Sequence, residues 1–226
     1  MKFHSRFIGL LVGLVACCAL LPMSSLGADD AVAFSDLTSP DEIQAFREAF
    51  INDFERTSLN TTPGDARFLR IIIASANLKR GIEVGTATGF GAINMGMAFE
   101  RNGGELFTID IDPDMVVKAR ENLAKVGLDK TVKVVEGDAL KMIPTLEGKF
   151  DFLFLDALKQ DYMKYFKLAL PMLKAGAVIV ADNVVISGKQ MKDFLDFMEN
   201  DPNYDMQIIR CSEEKGDGMA IIYKIK

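Results

Sequence analysis

A single histidine, His4, occurs in 226 residues, and it sits in a leading segment unlike the rest. Beyond that segment no mechanism can use a histidine base, a triad containing histidine, or a histidine metal ligand. Cysteine is nearly as scarce: of three, Cys17 and Cys18 lie in the leader and Cys211 stands alone. The remaining chain therefore cannot close an internal disulfide. Cys211 falls in an apolar stretch and reads as a small core hydrophobe. There is no zinc-ligand spacing, no internal repeat and no basic stripe. Acids outnumber bases, for a formal net charge of −6. Residues 1–28 hold Lys2 and Arg6 and no acid, so the rest of the chain is more acidic still. Such a surface repels phosphate backbones, which argues against nucleic acid as a partner.

One long hydrophobic run is present, from Phe7 to Leu21, behind the positive Lys2 and Arg6. Small residues follow, and Ser25-Leu26-Gly27 before Ala28 forms a cleavage site. That is the grammar of a secretory signal peptide. Leu14-Val15-Ala16-Cys17 resembles a lipobox, although the apolar residues after Cys17 argue against it. An uncleaved membrane anchor is the third reading, with a run short for a span. Each predicts an exported protein, periplasmic or secreted, or one membrane-associated through its N-terminus.

The rest divides into a linker and N-terminal helix over 29–57 and an α/β domain over 58–226. Ser39-Pro40-Asp41-Glu42 starts a helix, and Ile43, Phe46, Phe50 and Phe54 recur at helical spacing. A second helix is expected from Pro63 to about Ala76. From residue 80 short apolar strands alternate with helices. The strands are Gly81–Val84, Leu106–Asp110, Val132–Val135, Phe150–Leu155 and Ala177–Val180. The intervening helices run to Met97, from Pro113 to Val126, from Tyr162 to Leu173 and from Lys189 to Met198. Two apolar runs, Met206–Cys211 and Met219–Ile225, flank a Glu-Glu-Lys-Gly-Asp-Gly turn, which is hairpin chemistry. The pattern predicts a Rossmann-like, doubly wound α/β sheet, mostly parallel with an antiparallel C-terminal hairpin. Ligands of such sheets bind at the carboxyl ends of the strands.

Polar residues cluster at those ends. Glu83-Val84-Gly85-Thr86-Ala87-Thr88-Gly89-Phe90-Gly91 turns from strand to helix, and its glycines allow close approach of a ligand. The turn serves nicotinamide cofactors and S-adenosylmethionine alike. Asp110 closes the second strand, where an acid accepts both ribose hydroxyls of an adenosine; capping the next helix is its plainer role. Asp112 and Asp114 favour that helix start. Glu136-Gly137-Asp138-Ala139 follows the third strand, beside an adenine site or as a simple turn. Asp156-Ala157-Leu158-Lys159 and Asp182-Asn183 follow the two most apolar strands. Their oxygen donors suit magnesium, manganese or calcium, and charge at such places is costly unless paired or coordinated. Capping of turns is the alternative for both acids. Lys159 reads as a general base or as a solvated lysine.

In order and spacing these pieces resemble the cation-dependent O-methyltransferases, the family of catechol and caffeoyl-coenzyme A methyltransferases and their bacterial relatives. The resemblance covers 58–226. It also includes Thr61-Thr62-Pro63-Gly64-Asp65-Ala66-Arg67-Phe68-Leu69, Thr108-Ile109-Asp110-Ile111-Asp112-Pro113, Val180-Ala181-Asp182-Asn183-Val184 and Gly216-Asp217-Gly218. It implies a class I methyltransferase fold with S-adenosylmethionine and a divalent cation, magnesium first. Thr61, Glu83, Gly85 and Thr86 would line the methionine part, Asp110 and Ile111 the ribose, and Ala139 the adenine; Gly91 and Asp156 belong to this cofactor set too. Asp156, Asp182 and Asn183 would hold the metal, with Lys159 and Asp156 catalytic. A homodimer is common in the family. Three departures stand out. Gly91 replaces a serine, removing one cofactor hydrogen bond. Ala66 lies where a glycine is usual. Leu158 replaces an aromatic of the catechol enzyme, which loosens specificity for catechols.

The expected activity is methyl transfer to a hydroxyl of a small phenolic acceptor. Two other readings stay open. An NAD-dependent oxidoreductase fits the glycine turn, but none of the four tyrosines has a lysine four residues on, so the Tyr-x-x-x-Lys pair is missing. A catalytically degenerate, exported binding protein fits the leader, because S-adenosylmethionine is made in the cytoplasm.

Overall fold

The computed structural model describes residues 33–212 and 214–226. The readings made for the leader and for the Cys211 side chain lie outside the described residues. Helix α1 (Pro40–Asn52) begins where its caps predict: Ser39 Oγ accepts from the Glu42 N–H at 3.2 Å, and Glu42 Oε2 accepts from the Ser39 N–H at 3.0 Å. This reciprocal box satisfies two N–H groups that the helix cannot pair internally. Helix α2 (Pro63–Ser75) is capped by Thr62.

Strands and helices then alternate. They are β1 (Arg80–Val84), α3 (Phe90–Arg101), β2 (Glu105–Asp110), α4 (Pro113–Lys125), β3 (Val132–Glu136), α5 (Ala139–Met142), β4 (Phe150–Leu155), α6 (Tyr162–Ala169), β5 (Leu173–Ala181), α7 (Lys192–Asn200), β6 (Tyr204–Ser212) and β7 (Asp217–Lys224). Helix α6 is shorter than expected because Pro171 disfavours helix in the residue before it; a 3-10 turn, Leu170–Met172, takes over. The turn Gly188–Met191 is likewise 3-10, so α7 starts later than the apolar pattern suggests.

The seven strands lie in the order β3-β2-β1-β4-β5-β7-β6. The first five are parallel, and β7 runs antiparallel to both β5 and β6. The expected C-terminal hairpin is present, with its second strand inserted against β5 and its first at the edge. Strand β4 explains itself: Phe152 and Phe154 point into one core, with α2 and α3, while Leu153 and Leu155 point into the other, with α6 and α7. Side chains alternate along a strand, so a strand covered on both faces must be apolar throughout. Each of these fully buried side chains contributes roughly 1.5–3 kcal/mol.

Register fixes the site. Val84 pairs with Ile109 and with Leu155, and Leu155 pairs with Ala181, so the strands end level. The next residues, Gly85, Asp110, Asp156 and Asp182, therefore share one rim. Chain order reverses at β1, with β2 on one side and β4 on the other, which opens a crevice at this rim.

Candidate active site

The glycine turn and Asp110 are built together. Thr86 and Ala87 donate their N–H groups to Asp110 Oδ2 at 2.9 and 2.8 Å, and Asp112 donates its own to Oδ1 at 3.0 Å. A carboxylate has about four acceptor sites, so Asp110 can pin the turn and still receive a hydroxyl. The cap of α4 is Asp112, which accepts from the Asp114 and Met115 N–H groups. Gly85 has φ +101°, and a Cβ there would lie 2.1 Å from the Asp156 carbonyl oxygen. Only glycine lets β1 turn this tightly against the start of the β4 loop. Ile111 stands exposed beside Asp110, and Ala139 is buried at the start of α5, which Asp138 caps.

Glu83 is the unusual member. It is 1% exposed, and neither carboxylate oxygen has a hydrogen-bond partner. Burial raises its pKa well above 4.5; the Thr108 hydroxyl opposes this, and Asp156 and Asp110 add to it. Thr108 is itself engaged with Thr86 Oγ1 at 2.5 Å. Thr61 is buried nearby. A Cβ on Gly91 would sit 2.8 Å from Thr61 Oγ1 and 3.1 Å from Glu83 Oε1, so the glycine leaves room for both. An unpartnered buried carboxylate is costly, and a cationic ligand would relieve it.

At the ends of β4 and β5, Lys159 Nζ donates to Asp156 Oδ1 at 2.9 Å and to the Tyr162 hydroxyl at 3.0 Å. The Tyr162 hydroxyl donates in turn to the Asp182 carbonyl at 3.2 Å. Asp182 is buried, and its Oδ1 accepts from the Asn183 N–H at 2.7 Å. Burial first, then Asp156 and Asp65, push the Asp182 carboxyl up to about 7, against the Asn183 N–H and Lys159. Asn183 adopts φ +61°, a left-handed conformation that asparagine tolerates. Asp156, Lys159, Asp182 and Asn183 thus lie together at the ends of β4 and β5.

Two carboxylates with an asparagine beside them offer the oxygen donors that suit a hard divalent cation. No group of three or more His, Cys, Asp or Glu side chains arranged to hold a metal occurs among the described residues, so the amide of Asn183 would have to supply the third oxygen. A cavity of about 750 Å³ lies elsewhere, lined by Phe50, Phe54, Lys118 and Asn122, and it meets the glycine turn only at Thr88.

Tyr162 was not among the residues singled out from sequence. It lies three residues after Lys159, and its ring is fully buried, so it looks like core. Burial, Asp156 and Asp182 raise its pKa well above 10, which keeps it a neutral donor. Tyr162→Phe should leave folding intact and lower kcat about tenfold, the effect of one lost hydrogen bond of roughly 1–1.5 kcal/mol on Lys159. Unchanged kcat at saturating substrate would remove Tyr162 from this account. Asn60 also escaped notice: its Oδ1 accepts from Thr88 Oγ1 at 2.9 Å and so ties the segment before α2 to the glycine turn.

Comparison with known proteins agrees with this fold. The profile of the O-methyltransferase family matches residues 36–222. Catechol O-methyltransferase of Mycobacterium tuberculosis is 30% identical over 205 residues, covering 85% of this chain and 93% of that protein. Catechol O-methyltransferase of Niastella koreensis is 34% identical over 140 residues, 60% of this chain and 63% of its own length. Among solved structures, cofactor-bound Rv0187 from MTB superposes with a TM-score of 0.71 at 29% identity, covering 85% of this chain and 94% of that one. The O-methyltransferase TomG from Streptomyces achromogenes, in complex with SAM, gives 0.71 at 26%, covering 85% and 93%. The sheet built here is the class I methyltransferase fold, and the chain belongs to the O-methyltransferase family.

Proposed function

We propose that the chain transfers the methyl group of S-adenosylmethionine to a hydroxyl of a small phenolic, catechol-like acceptor with the help of a divalent cation. One observation carries this reading. Asp156, Lys159, Asp182 and Asn183 converge at the carboxyl ends of β4 and β5, beside the glycine turn after β1. The orphaned Glu83 carboxylate suits the cationic methionine part of the cofactor, with Thr61, Gly85 and Thr86 along it. Asp110 and Ile111 would take the ribose and Ala139 the adenine.

A phenol of pKa about 10 is mostly neutral at neutral pH. Lys159, once its ammonium has given a proton to solvent, takes the phenol's proton at Nζ, and Asp156 and Tyr162 hold that nitrogen in place. A divalent ion held by Asp156, Asp182 and Asn183, magnesium first and manganese or calcium otherwise, would supply charge that stabilises the phenolate and orients it. The phenolate oxygen then bonds to the sulfonium methyl as the carbon–sulfur bond breaks. The electron pair goes to sulfur and leaves S-adenosylhomocysteine. In-line positioning contributes much of the acceleration. Leu158 and Ile186 are exposed near these residues and offer apolar walls to an aromatic ring. The two relatives named catechol O-methyltransferase support the choice of acceptor class.

Calorimetric titration of S-adenosylmethionine into the protein, with and without magnesium and with NAD as a control, tests the cofactor assignment. Binding of S-adenosylmethionine alone is expected. NAD binding in its place would establish the oxidoreductase reading, and no binding at all the degenerate one. The export or anchor reading of residues 1–28 is part of the proposal. Among the described residues no helix is long and apolar enough to cross a membrane. Fractionation of cells making the full chain decides it, with recovery in the cytosol as the contrary result.

A further inference from the structure

Gly216-Asp217-Gly218, at the start of β7, takes no part in the site built so far. Asp217 is 2% exposed. Its Oδ1 accepts from three backbone N–H groups: Val185 at 3.0 Å, Ile186 at 3.1 Å and Gly218 at 2.8 Å. Among the described residues, backbone donors meet its charge. One residue along, the Gly218 carbonyl accepts from the Val184 N–H at 3.0 Å. Residues 184, 185 and 186 are therefore all tied to 217 and 218. These three follow directly on Asp182 and Asn183. The same loop closes on itself through the Ser187 N–H and the Asn183 carbonyl at 2.9 Å.

The topology explains why this residue reaches that loop. Strand β7 pairs antiparallel with β5, with Ala181 opposite Ala220, so the start of β7 lies just beyond the end of β5. The flanking glycines fit the same purpose. Gly216 has φ +63°, which the turn into β7 requires. A Cβ on Gly218 would sit 2.6 Å from the Ile209 carbonyl oxygen and 3.1 Å from Val185 Cγ2, so no larger residue lets β7 and the loop pack this closely. Hydrogen bonds to a carboxylate are shorter and stronger than neutral ones. Two of them on a loop whose Asn183 sits at a left-handed φ of +61° hold a conformation that the loop would otherwise leave.

We propose that Asp217 is a positioning residue: its buried carboxylate clamps the loop after β5 so that Asp182 and Asn183 face Asp156, and thereby sets the affinity for the divalent cation without touching it. The affinity part rests on the metal assignment above. The clamp itself does not.

The test uses the full chain with Asp217→Ala and Asp217→Asn, and three readouts. Amide hydrogen exchange at Val185 and Ile186, without metal, reports the clamp. Titration with manganese chloride reports cation affinity, and titration with S-adenosylmethionine reports the neighbouring cofactor site. Asp217→Ala should exchange faster at both amides and bind Mn²⁺ about 10–100-fold more weakly, the usual effect of removing a group that orients metal ligands. Its cofactor affinity should stay within about twofold, since the glycine turn lies on other strands. Asp217→Asn keeps an acceptor oxygen but not the charge, so it should fall between wild type and alanine in both exchange and Mn²⁺ affinity. Where the alanine protein does not fold, Asp217→Asn alone decides: intermediate losses support the proposal, and no change in either readout overturns it. Equal losses of Mn²⁺ and cofactor binding, with no rescue by asparagine, would reduce Asp217 to a residue of general stability and overturn it. A wild-type chain that binds no Mn²⁺ would overturn the metal assignment and the affinity claim with it. The clamp would then stand if the alanine variant loses amide protection, and fall if it does not.

Discussion

Asp156→Ala is expected to abolish metal-dependent methyl transfer, with kcat/KM lower by about 10²–10³-fold or more. Asp156 serves the site twice. Its Oδ1 accepts from Lys159 Nζ at 2.9 Å, and it lies on the rim with Asp182, whose carboxyl it helps to raise. Its loss would remove a cation ligand and free the lysine that takes the proton. Breaking a partly buried pair by deleting one partner is also worse than never having had it, because the other charge is left behind. The measurement is steady-state turnover of catechol with magnesium, beside circular dichroism to confirm folding. Retained full activity would remove the metal assignment.

Glu83→Gln should act in opposite directions on stability and on binding. The Glu83 carboxyl is buried without a partner and raised well above 4.5, chiefly by burial. A carboxyl raised in the folded state contributes stability that is fully present below its unfolded pKa and is lost as pH rises through the folded value. The ligand-free protein should therefore lose stability as pH rises from about 4.5. Asp182, raised from 3.8 to about 7, works in the same direction over its own window. Glutamine at position 83 removes the cost of burying this carboxyl at neutral pH, so the melting temperature there should rise by about 2–4 °C per kcal/mol recovered. S-adenosylmethionine affinity should fall about 10–100-fold, because a charge-assisted hydrogen bond of roughly 1.5–3 kcal/mol is lost. Melting curves from pH 4 to 8 and one titration check both halves. A glutamine variant that binds the cofactor normally would separate Glu83 from the methionine site.

Much of this architecture is written in local pattern. Phe150–Leu155 reads as an interior parallel strand because it is apolar on both faces, and the structure gives it a core on each side. Strand ends could be read because apolar runs stop abruptly at Gly85, Asp110, Asp156 and Asp182. Parallel register then brings those four to one rim without further instruction. What escaped is what tertiary contact alone creates. Tyr162 belongs to the core by burial, and its hydroxyl matters only because Lys159 and the Asp182 carbonyl meet it there. The amides that Asp217 clamps lie 32 and 31 residues earlier in the chain. A hairpin signature at 206–225 says that two strands pair, but not which one docks on β5. The answer is β7, and that choice puts Asp217 beside the loop after β5. The unpartnered state of Glu83 is equally invisible to pattern, since it depends on which side chains meet it in the folded chain.

The most direct test of the central claim is a turnover assay with S-adenosylmethionine and catechol, run with magnesium and again with a chelator, following S-adenosylhomocysteine and methylated product. The account predicts both products in equal amounts with magnesium and neither above background with the chelator. No product from any phenolic acceptor, in a protein that binds S-adenosylmethionine, would contradict it, as would undiminished turnover in the chelator.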